Sequence, residues 1–540
     1  MYVIKIYLPI YCFEAFFAIN CYFEKAVKMI FKSLPLISFS LLAFIGVIDA
    51  SQDVPIQPRQ FPTEPTDVTT ITSPSGVQIR YKEPGQFGVC ETTPGVKSYS
   101  GYIDLSPDEH VFFWFFESRR DPANDPVTLW LNGGPGSDSL VGLFLENGPC
   151  NITKELTSTI NPYSWNEISN MLYISQPVGV GFSYRQEQEG SRDPIGMFVN
   201  STVEPANGRY PVGDVTTIDT TDKAAVATYH ILQAFYSALP QLDNKVQSKV
   251  FNLWTESYGG HYGPAFFKYF SEQNQLIQKG VMNGTFFNMD TLGIGNGLID
   301  EYIQVPWYPE FAMYNTYGIK AYNETVYNYA KFALNKPNGC LAQINFCRAN
   351  NHSSIADLGF CSEAVGMCRD NVESLYYEFS GRGIYDIRHP FRDPIPPKYF
   401  IDYLNQAQIQ NAIGVDLNYT SFSNPAVTFA FLQTGDLVYT SFLEDLEQLL
   451  EAGVNVALYY GDADYICNWF GGEALSLAVK YEHSAHFAEA GYAPMVVNGV
   501  EYGVVRQFGN FSFTRVYEAG HLVPLYQREY LPKALLRVED

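Results

Sequence analysis

The chain has 540 residues, of which 46% are hydrophobic and 16% aromatic, so it can bury a large core in one catalytic domain with insertions or in two domains. Its formal net charge of −23 argues against a nucleic-acid partner, because such a chain could not neutralise phosphates in quantity. The composition is that of a globular protein with an acid-adapted surface.

The amino terminus has the three parts of a secretory signal. A basic start at Met29-Ile30-Phe31-Lys32 precedes an apolar run from Leu34 to Ile48, which exits through Asp49-Ala50-Ser51. We therefore predict a leader over residues 1–50 whose signal begins at Met29, with residues 1–28 as an over-extended gene model. A signal anchor that stays in the membrane is the alternative, although the apolar stretch is short for a span of about 20 residues.

Asn-x-Ser/Thr sequons agree with passage through the secretory route and predict N-glycosylation. They lie at Asn151, Asn200, Asn283, Asn323, Asn351, Asn418 and Asn510. From the signal and the sequons we expect a secreted or vacuolar glycoprotein without a stable membrane anchor.

The first part of the chain after the leader predicts loops and then strands. Residues 51–76 are rich in Pro, Thr, Ser and Asp without a period, so we predict a flexible lead-in and order from near Val77. From Tyr99 to Phe116 the pattern is alternating and aromatic, which predicts an antiparallel hairpin. Six short apolar runs then predict buried strands. They are Val127 to Leu131, Met171 to Ile174, Val250 to Trp254, Leu292 to Ile294, Val454 to Tyr460 and Phe511 to Val516.

Helix-like stretches alternate with these strands. Thr221 to Leu239, for example, carries a single apolar face, formed by Ala225, Thr228, Ile231, Leu232 and Phe235. This alternation predicts an α/β fold with a mostly parallel central sheet and catalytic loops at the carboxyl ends of its strands. The region 301–410 breaks the rhythm, so we interpret it as an inserted helical cap and assign the α/β core to residues 77–300 and 411–540.

Cysteines cluster in the predicted cap. Once the leader is removed seven cysteines remain, an odd number, so one thiol should stay free. The symmetric spacing of the cluster suits a helical hairpin with nested disulfides Cys340–Cys368 and Cys347–Cys361. A zinc site is the rival interpretation, but the spacings are not the short pairs of metal knuckles. We expect no metal and no cofactor.

The segment from Trp254 to Pro264 contains a nucleophile elbow. Ser257 follows a predicted strand directly, and Gly259 leaves room for the sharp strand-to-helix turn that projects a serine hydroxyl off the sheet. A serine hydroxyl is a weak nucleophile by itself, so the hypothesis requires a histidine and an acid farther along the chain.

His521 and Asp464 meet this requirement in the hydrolase order Ser, Asp, His. His521 follows a predicted strand, and Gly520 permits a tight loop that points the imidazole toward Ser257. The preceding buried strand ends with two acids, and we assign Asp464 to the histidine. We interpret Asp462 as a cap of the turn; a calcium loop is a third interpretation, which lacks regularly spaced oxygen ligands.

Together these motifs resemble the serine carboxypeptidases, the group that includes carboxypeptidase Y and cathepsin A, and among them a secreted fungal type. The resemblance runs from Val77 to Gln527. It rests on Trp130 to Gly136, Gln176 to Tyr184, Glu256 to Tyr258, Gly295 to Gly297, Gly461 to Asp464, Cys467 to Trp469 and Ala519 to His521. It implies an α/β-hydrolase fold and a serine peptidase that releases the C-terminal residue of peptides and proteins through an acyl-enzyme.

The resemblance also implies roles for residues around the serine. The amides of Gly133 and Tyr258 would form the oxyanion hole. Asn132, the Gly133 amide, Glu146 and Glu256 would bind the free α-carboxylate of the substrate through hydrogen-bond donors. A carboxyl group donates only when it is protonated, so two glutamates facing a carboxylate predict a raised pKa and activity favoured at acidic pH.

Leu145 and Leu522 would line an apolar pocket for the final side chain, and Cys467 matches the family's unpaired thiol near that pocket. Cys90 and Cys150 are then left to pair by elimination.

The sequence departs from the family's usual pattern near the site. The family usually has a cysteine at the position of Ser137, bonded to another shortly after the motif Tyr385 to Arg388, and both are missing here. Thr255 replaces the usual elbow glycine, Ser175 replaces the usual aspartate, and Asp138 replaces a small polar residue. We expect Thr255 to alter the packing of the elbow and Asp138 to alter substrate preference.

Two other functions are compatible with the sequence. An acyltransferase would form the same acyl-enzyme and pass it to an alcohol, and a secreted binding glycoprotein would have lost catalysis. The intact set of Ser257, Asp464 and His521 favours the peptidase.

Overall fold

The computed structural model describes residues 61–193, 196–200, 207–350, 355–391, 396–420 and 423–529, without the side chains of 355–358. The predicted leader over residues 1–50, the first part of the predicted lead-in and the sequon at Asn351 lie outside the described residues.

Seventeen strands form three sheets in the described chain. They are β1 Thr69–Thr72, β2 Gln78–Lys82, β3 Ser98–Ser106, β4 Glu109–Phe116, β5 Val127–Leu131, β6 Cys150–Ile152, β7 Ser158–Ile160, β8 Asn170–Ile174, β9 Gln186–Arg192, β10 Phe198–Val199, β11 Asn207–Val212, β12 Val250–Glu256, β13 Asn288–Gly295, β14 Asn455–Gly461, β15 Ala493–Val497, β16 Val500–Phe508 and β17 Phe511–Val516. All six apolar runs predicted as strands are confirmed.

The main sheet has twelve strands in the order β1-β2-β3-β4-β8-β5-β12-β13-β14-β17-β16-β15. Its central six strands, from β8 to β17, pair in parallel, and the strands at both ends pair antiparallel. The predicted α/β fold is therefore confirmed. Parallel central strands are covered on both faces, which explains why their sequences are continuous apolar runs rather than alternating ones.

The helices occupy the connections between strands. They are α1 Leu140–Leu145, α2 Thr221–Leu242, α3 Gly259–Gln278, α4 Glu301–Gln304, α5 Trp307–Tyr314, α6 Glu324–Asn335, α7 Cys340–Ala349, α8 Ile355–Cys368, α9 Leu375–Phe379, α10 Tyr399–Leu404, α11 Ala407–Ile413, α12 Pro425–Thr434, α13 Leu443–Glu451, α14 Trp469–Ala478, α15 Ser484–Glu489 and α16 Val523–Tyr526. Short 3-10 helices cover Pro84–Phe87, Trp165–Glu167 and Val215–Ile218, and a π-helix covers Arg369–Glu373. None of the described helices is both long and apolar enough to cross a lipid bilayer.

Helix α2 begins where its sequence predicts. The Thr220 side chain accepts a hydrogen bond from the amide of Lys223, which caps the first turn. The predicted apolar face is buried against the sheet, and the helix continues three residues beyond the predicted end, through Pro240, to Leu242.

At the centre of the sheet, a large side chain packs in the space left by a glycine on the neighbouring strand. Trp254 of β12 lies beside Trp130 of β5 on one side and Gly293 of β13 on the other. A Cβ atom on Gly293 would meet the Trp254 ring at 2.0 Å, so the indole occupies the space that the glycine leaves. Trp165 packs edge-on against both tryptophans.

Two predicted boundaries are wrong. The flexible lead-in was predicted to reach residue 76, but β1 pairs antiparallel with β2, with Ile71 opposite Ile79, because a β-branched Thr-Thr-Ile-Thr run suits an edge strand. The predicted cap ended at residue 410, but α10 and α11 pack into the core, where Phe400 stacks on Phe144 with ring centroids 5.5 Å apart. The described helices between β13 and β14 run from α4 to α13, so they extend beyond residue 410.

Candidate active site

Ser257 lies in the turn between β12 and α3, at the carboxyl end of the sheet's central strands. Its φ of 64° is in the left-handed region, a strained conformation that an elbow imposes on its serine. The Ser257 amide donates to the carbonyl of Gly295 at 3.0 Å, and its carbonyl accepts from the amides of Gly260 and Leu298. The loops that follow β12 and β13 therefore hold the elbow from both sides.

His521 and Asp464 meet although 57 residues separate them in the sequence. His521 Nδ1 lies 2.7 Å from Asp464 Oδ2, and both side chains are buried. Burial raises the pKa of Asp464, while His521 and the hydrogen bonds from its neighbours lower it. Asp462 does not cap the turn as predicted; its carboxylate accepts from the Tyr317 hydroxyl and from Arg515.

Asn296 is a site residue to which the sequence analysis gave no role. Its Nδ2 donates to Asp464 Oδ2 at 2.8 Å and to the Cys467 carbonyl at 3.2 Å, so it bonds to the same carboxylate oxygen as His521. The motif Gly295 to Gly297 marked this position, but only the tertiary structure shows what its side chain contacts.

Tyr385 is a second residue without a predicted role. Its carbonyl accepts the His521 amide at 2.8 Å, and its ring lies 5.1 Å from the imidazole, centroid to centroid. Tyr385 is 44% exposed, so its ring lies beside the histidine and is accessible to solvent.

The loop after β5 presses against the elbow. A Cβ atom on Gly133 would lie 2.3 Å from the Tyr258 amide nitrogen and 2.6 Å from the Glu256 carbonyl oxygen, so only glycine permits this approach. The two amides predicted to form an oxyanion hole, those of Gly133 and Tyr258, therefore belong to segments in direct backbone contact.

The predicted carboxylate-binding side chains form one buried cluster. Asn132 Nδ2 donates to Glu146 Oε1 at 3.1 Å and to Glu256 Oε1 at 3.2 Å. Asn132 Oδ1 accepts from Trp130 Nε1 and from the Gly142 amide, which fixes the orientation of its amide group. Glu146 follows helix α1 and Glu256 ends strand β12, so the sheet and a short helix bring the two acids together.

The pKa values of the two glutamates are both raised. Burial raises the pKa of Glu256 well above its usual value, and the charge of Glu146 raises it further. Burial also raises the pKa of Glu146, while hydrogen bonds from Glu256 and Asn132 lower it. Oε2 of Glu146 has no hydrogen-bond partner among the described residues.

Cys467 is the free cysteine of the described chain, and it is buried. Its ligand atom and those of Asp464 and His521 lie within 4.8 Å of one another, so these three residues could hold a soft metal ion. Burial raises the pKa of the thiol well above its usual value, with Asp464 adding to the shift, and a protonated thiol is a poor ligand. Leu145 ends helix α1 next to Glu146, and Leu522 follows His521.

The other six described cysteines form three disulfides, Cys90–Cys150, Cys340–Cys368 and Cys347–Cys361. The last two join helices α7 and α8 as a nested pair, so no cysteine of the cluster is free for zinc. Disulfides fit a protein that passes through the secretory route.

The residues that depart from the family pattern form hydrogen bonds with identifiable partners. Ser175 Oγ donates to Asp138 Oδ1 at 2.8 Å, so the exchanged aspartate and serine contact each other directly. Burial raises the pKa of Asp138 to about 6. Thr255 Oγ1 donates to the Gly259 carbonyl at 2.9 Å, which links the strand to the first turn of α3.

Two of the predicted glycosylation asparagines use their side-chain amides in hydrogen bonds. Asn418 is 0% exposed, and its Nδ2, the atom that would carry the glycan, donates to Asn405. Nδ2 of Asn510 donates to two carbonyls, those of Leu450 and Val454. The remaining described sequons, Asn151, Asn200, Asn283 and Asn323, are half-buried or exposed.

Comparison with known proteins covers most of the chain. The profile of the serine carboxypeptidase family matches residues 84–536. Carboxypeptidase S1 homolog B of Arthroderma otae is 44% identical over 513 residues, which are 87% of this chain and 77% of that protein. Carboxypeptidase S1 of Penicillium janthinellum is 38% identical, over 84% of this chain and 97% of its own.

A solved structure supports the same fold. Kex1(Δ)p, a prohormone-processing carboxypeptidase from Saccharomyces cerevisiae, superposes with a TM-score of 0.62 at 20% identity, covering 87% of this chain and 96% of its own. Because the family profile and close relatives both span most of the sequence, the chain belongs to the serine carboxypeptidase family, whose members are peptide hydrolases.

Proposed function

We propose that the protein removes the C-terminal residue of peptides and proteins through an acyl-enzyme on Ser257, and that it does so best at acidic pH. The observation that carries this proposal is the position of the Asn132, Glu146 and Glu256 cluster. Glu256 precedes Ser257 in the chain, and Asn132 precedes Gly133, so a bound carboxylate lies within one residue's reach of the nucleophile. An enzyme with this arrangement cleaves only the last peptide bond.

In the proposed reaction His521 acts as general base. Asp464 engages Nδ1, which leaves Nε2 to take the proton from Ser257 Oγ as the oxygen attacks the carbonyl carbon. The amides of Gly133 and Tyr258 stabilise the oxyanion, and the protonated His521 then gives its proton to the leaving amine. Water, activated by the same imidazole, hydrolyses the ester and frees the serine.

The cluster explains the preference for acidic pH. Protonated Glu256 donates a hydrogen bond to the substrate carboxylate, whereas its ionised form repels it. Since the pKa of Glu256 is raised, the donor is present at low pH and is lost as the pH rises through that pKa. Catalytic efficiency therefore falls from acidic to alkaline pH through a rise in KM.

The test is digestion of a peptide library at pH 4 to 6, with the trimmed ends read by mass spectrometry. We expect residues to be lost one at a time from free C-termini and amidated peptides to remain intact. Ser257→Ala should reduce trimming by at least about 10⁴-fold while the protein stays folded. Internal cleavage, or equal cleavage of amidated peptides, would rule out the exopeptidase assignment.

We further propose that a leader starting at Met29 directs the protein into the secretory route and that the exposed sequons Asn200, Asn283 and Asn323 carry glycans. Enzymatic deglycosylation should lower the mass of the secreted protein, and the occupied asparagines should include these three. Occupancy at Asn418 in folded protein would contradict the structure.

A further inference from the structure

Helix α12 contacts both segments that carry the proposed oxyanion-hole amides. The helix lies in the long connection between β13 and β14, far in sequence from either segment. The Gly133 amide belongs to the loop after β5, and the Tyr258 amide belongs to the elbow after β12. Each end of α12 reaches one of the two.

The first turn of α12 contacts the loop after β5 that carries the Gly133 amide, which we call the oxyanion loop. Thr428 Oγ1 donates to the Pro135 carbonyl at 2.7 Å, across 293 positions of sequence. The Asn424 amide, at the start of the helix, donates to the Gly136 carbonyl at 2.9 Å. A Cβ atom on Gly136 would lie 3.0 Å from the Val427 side chain, so the loop rests directly on the helix.

The segment at the other end of α12 holds Tyr258. The Tyr258 hydroxyl donates to Asp436 Oδ2 at 2.5 Å, just beyond the glycine that ends the helix. Asp436 is 0% exposed and also accepts from the Thr221 hydroxyl at 2.6 Å and the Thr221 amide at 2.9 Å. Phe431, on the last turns of the helix, packs edge-on against the Tyr258 ring.

This arrangement matters because an oxyanion hole depends on the relative position of its two donors. Removal of one donor typically costs about 10²–10³ in kcat, and a functional constellation is held to within about 0.5 Å. The β5 and β12 strands fix where the two segments leave the sheet, but Gly134 and Gly136, both with positive φ, make the loop itself pliable. Contacts outside the sheet must therefore define its final position.

We propose that α12 is a positioning element for the oxyanion hole, with Thr428 setting the Gly133 loop and Asp436 setting Tyr258 so that the two amides converge on one oxygen. This inference rests on the proposed acyl-transfer function. Neither side chain touches the substrate; each acts through the segment that it holds.

A matched pair of variants on the same helix tests the first contact. Thr428→Val removes the bond to Pro135, and Thr434→Val removes an equivalent hydroxyl, which donates to the Asp219 and Phe431 carbonyls and does not reach the oxyanion loop. We expect Thr428→Val to lower kcat about 10-fold with KM within twofold, because the loss falls on transition-state stabilisation. Thr434→Val should leave both constants unchanged.

Inhibitor affinity separates positioning from general destabilisation. A peptide aldehyde forms a tetrahedral adduct whose oxygen occupies the oxyanion hole, whereas an N-acyl amino acid product binds without forming one. Thr428→Val should weaken the aldehyde by about the same factor as kcat and leave the affinity for the product unchanged. Unfolding midpoints measured on the same samples show whether the helix remains folded.

The second contact is tested with Tyr258→Phe and Asp436→Asn. Tyr258→Phe removes only the hydroxyl and should give the same split between kcat and KM. Asp436→Ala removes the acceptor of the Tyr258 hydroxyl and should lower kcat. Asp436→Asn keeps the size and the capacity for hydrogen bonding, so its kcat should lie between that of Asp436→Ala and that of the wild type. The double variant Thr428→Val/Tyr258→Phe should lose less than the product of the single losses if both act on one oxyanion hole.

The outcomes separate this inference from the proposed function. Wild-type protein that fails to trim peptides contradicts the proposed function itself. Wild-type protein that trims peptides, with Thr428→Val unchanged in kcat and in aldehyde affinity, overturns the role of α12 alone. An equal loss of kcat in Thr434→Val also overturns the inference, because the loss would then not depend on the contact between Thr428 and the loop.

Discussion

Glu91 and Glu256 are two buried glutamates whose neighbouring groups differ in charge. Glu91 is 0% exposed and accepts hydrogen bonds from Arg119 at 2.9 Å, Asn166 at 2.8 Å and the Thr93 amide at 2.9 Å. Glu256 is also buried, but its neighbours include a second carboxyl group, that of Glu146, whose charge raises the pKa of Glu256. Two acids that are buried to a similar degree can therefore have very different electrostatic surroundings.

Glu301, at the start of α4, is a third case. It is 0% exposed, and neither of its carboxyl oxygens has a hydrogen-bond partner among the described residues. Burial raises its pKa to about 8, with Glu373 raising it further and Arg369 lowering it. An acid paired with a cation, an acid beside a second carboxyl group and an acid without a hydrogen-bond partner among the described residues thus coexist, and their substitutions should have different effects.

Breaking the ion pair should have the largest effect on stability. Arg119→Leu leaves Glu91 buried without its cation, and removing one partner of a buried pair typically costs about 3–5 kcal/mol. Urea unfolding at pH 6 measures the loss. Lys223→Met is the control: it breaks an exposed pair with Asp219 and should cost under about 1 kcal/mol. Equal losses in the two variants would show that Glu91 does not depend on its charge partner.

Glu301→Gln tests the unpartnered acid through the pH dependence of stability. The folded-state pKa is raised from 4.5 to about 8, so the stabilisation is fully present below pH 4.5 and is lost as the pH rises toward 8. We expect wild-type protein to lose stability between pH 5 and 8 and Glu301→Gln to lose less, by on the order of 3 kcal/mol. Glu155→Gln, at an exposed position, should follow the wild-type curve.

Under the proposed function, the protonation of Glu256 should also affect substrate binding. Glu256→Ala removes a donor to a charged group and should raise KM about 10- to 100-fold at pH 5. Glu256→Gln keeps a donor that does not titrate, so its KM should change less between pH 5 and 8 than that of the wild type. Steady-state kinetics on one peptide across this range measures both effects. A wild-type KM that stays constant to pH 8 would contradict a proton-dependent donor.

Local patterns in the sequence were sufficient to predict much of the fold. Each of the six apolar runs is a strand, because a parallel strand covered on both faces must be apolar along its whole length. The elbow at Ser257 was also predictable, since its strand, small neighbours and turn are contiguous. The error at β1 arose because its β-branched run is only four residues long and lies within a Pro- and Ser-rich segment, and its pairing with β2 is not visible in the sequence.

Contacts between distant segments were not predictable in this way. The sequence analysis chose Asp464 over Asp462 as the partner of His521, and the folded chain has this bond, but only the folded chain shows that Asp462 binds Arg515. Asn418 has a valid sequon, yet the fold encloses its side chain. The bond between Asp138 and Ser175 likewise depends on two loops that meet in space.

The sequence by itself determined the main strands and helices along the chain, because these depend on short-range periodicity and turn-forming residues, and its motifs identified the family and the residue types available for chemistry. The tertiary structure decided which acid bonds to His521, which asparagine is accessible and which helix contacts the loop after β5. The physical reason is that burial and hydrogen-bond partners set these properties, and both come from residues up to several hundred positions away.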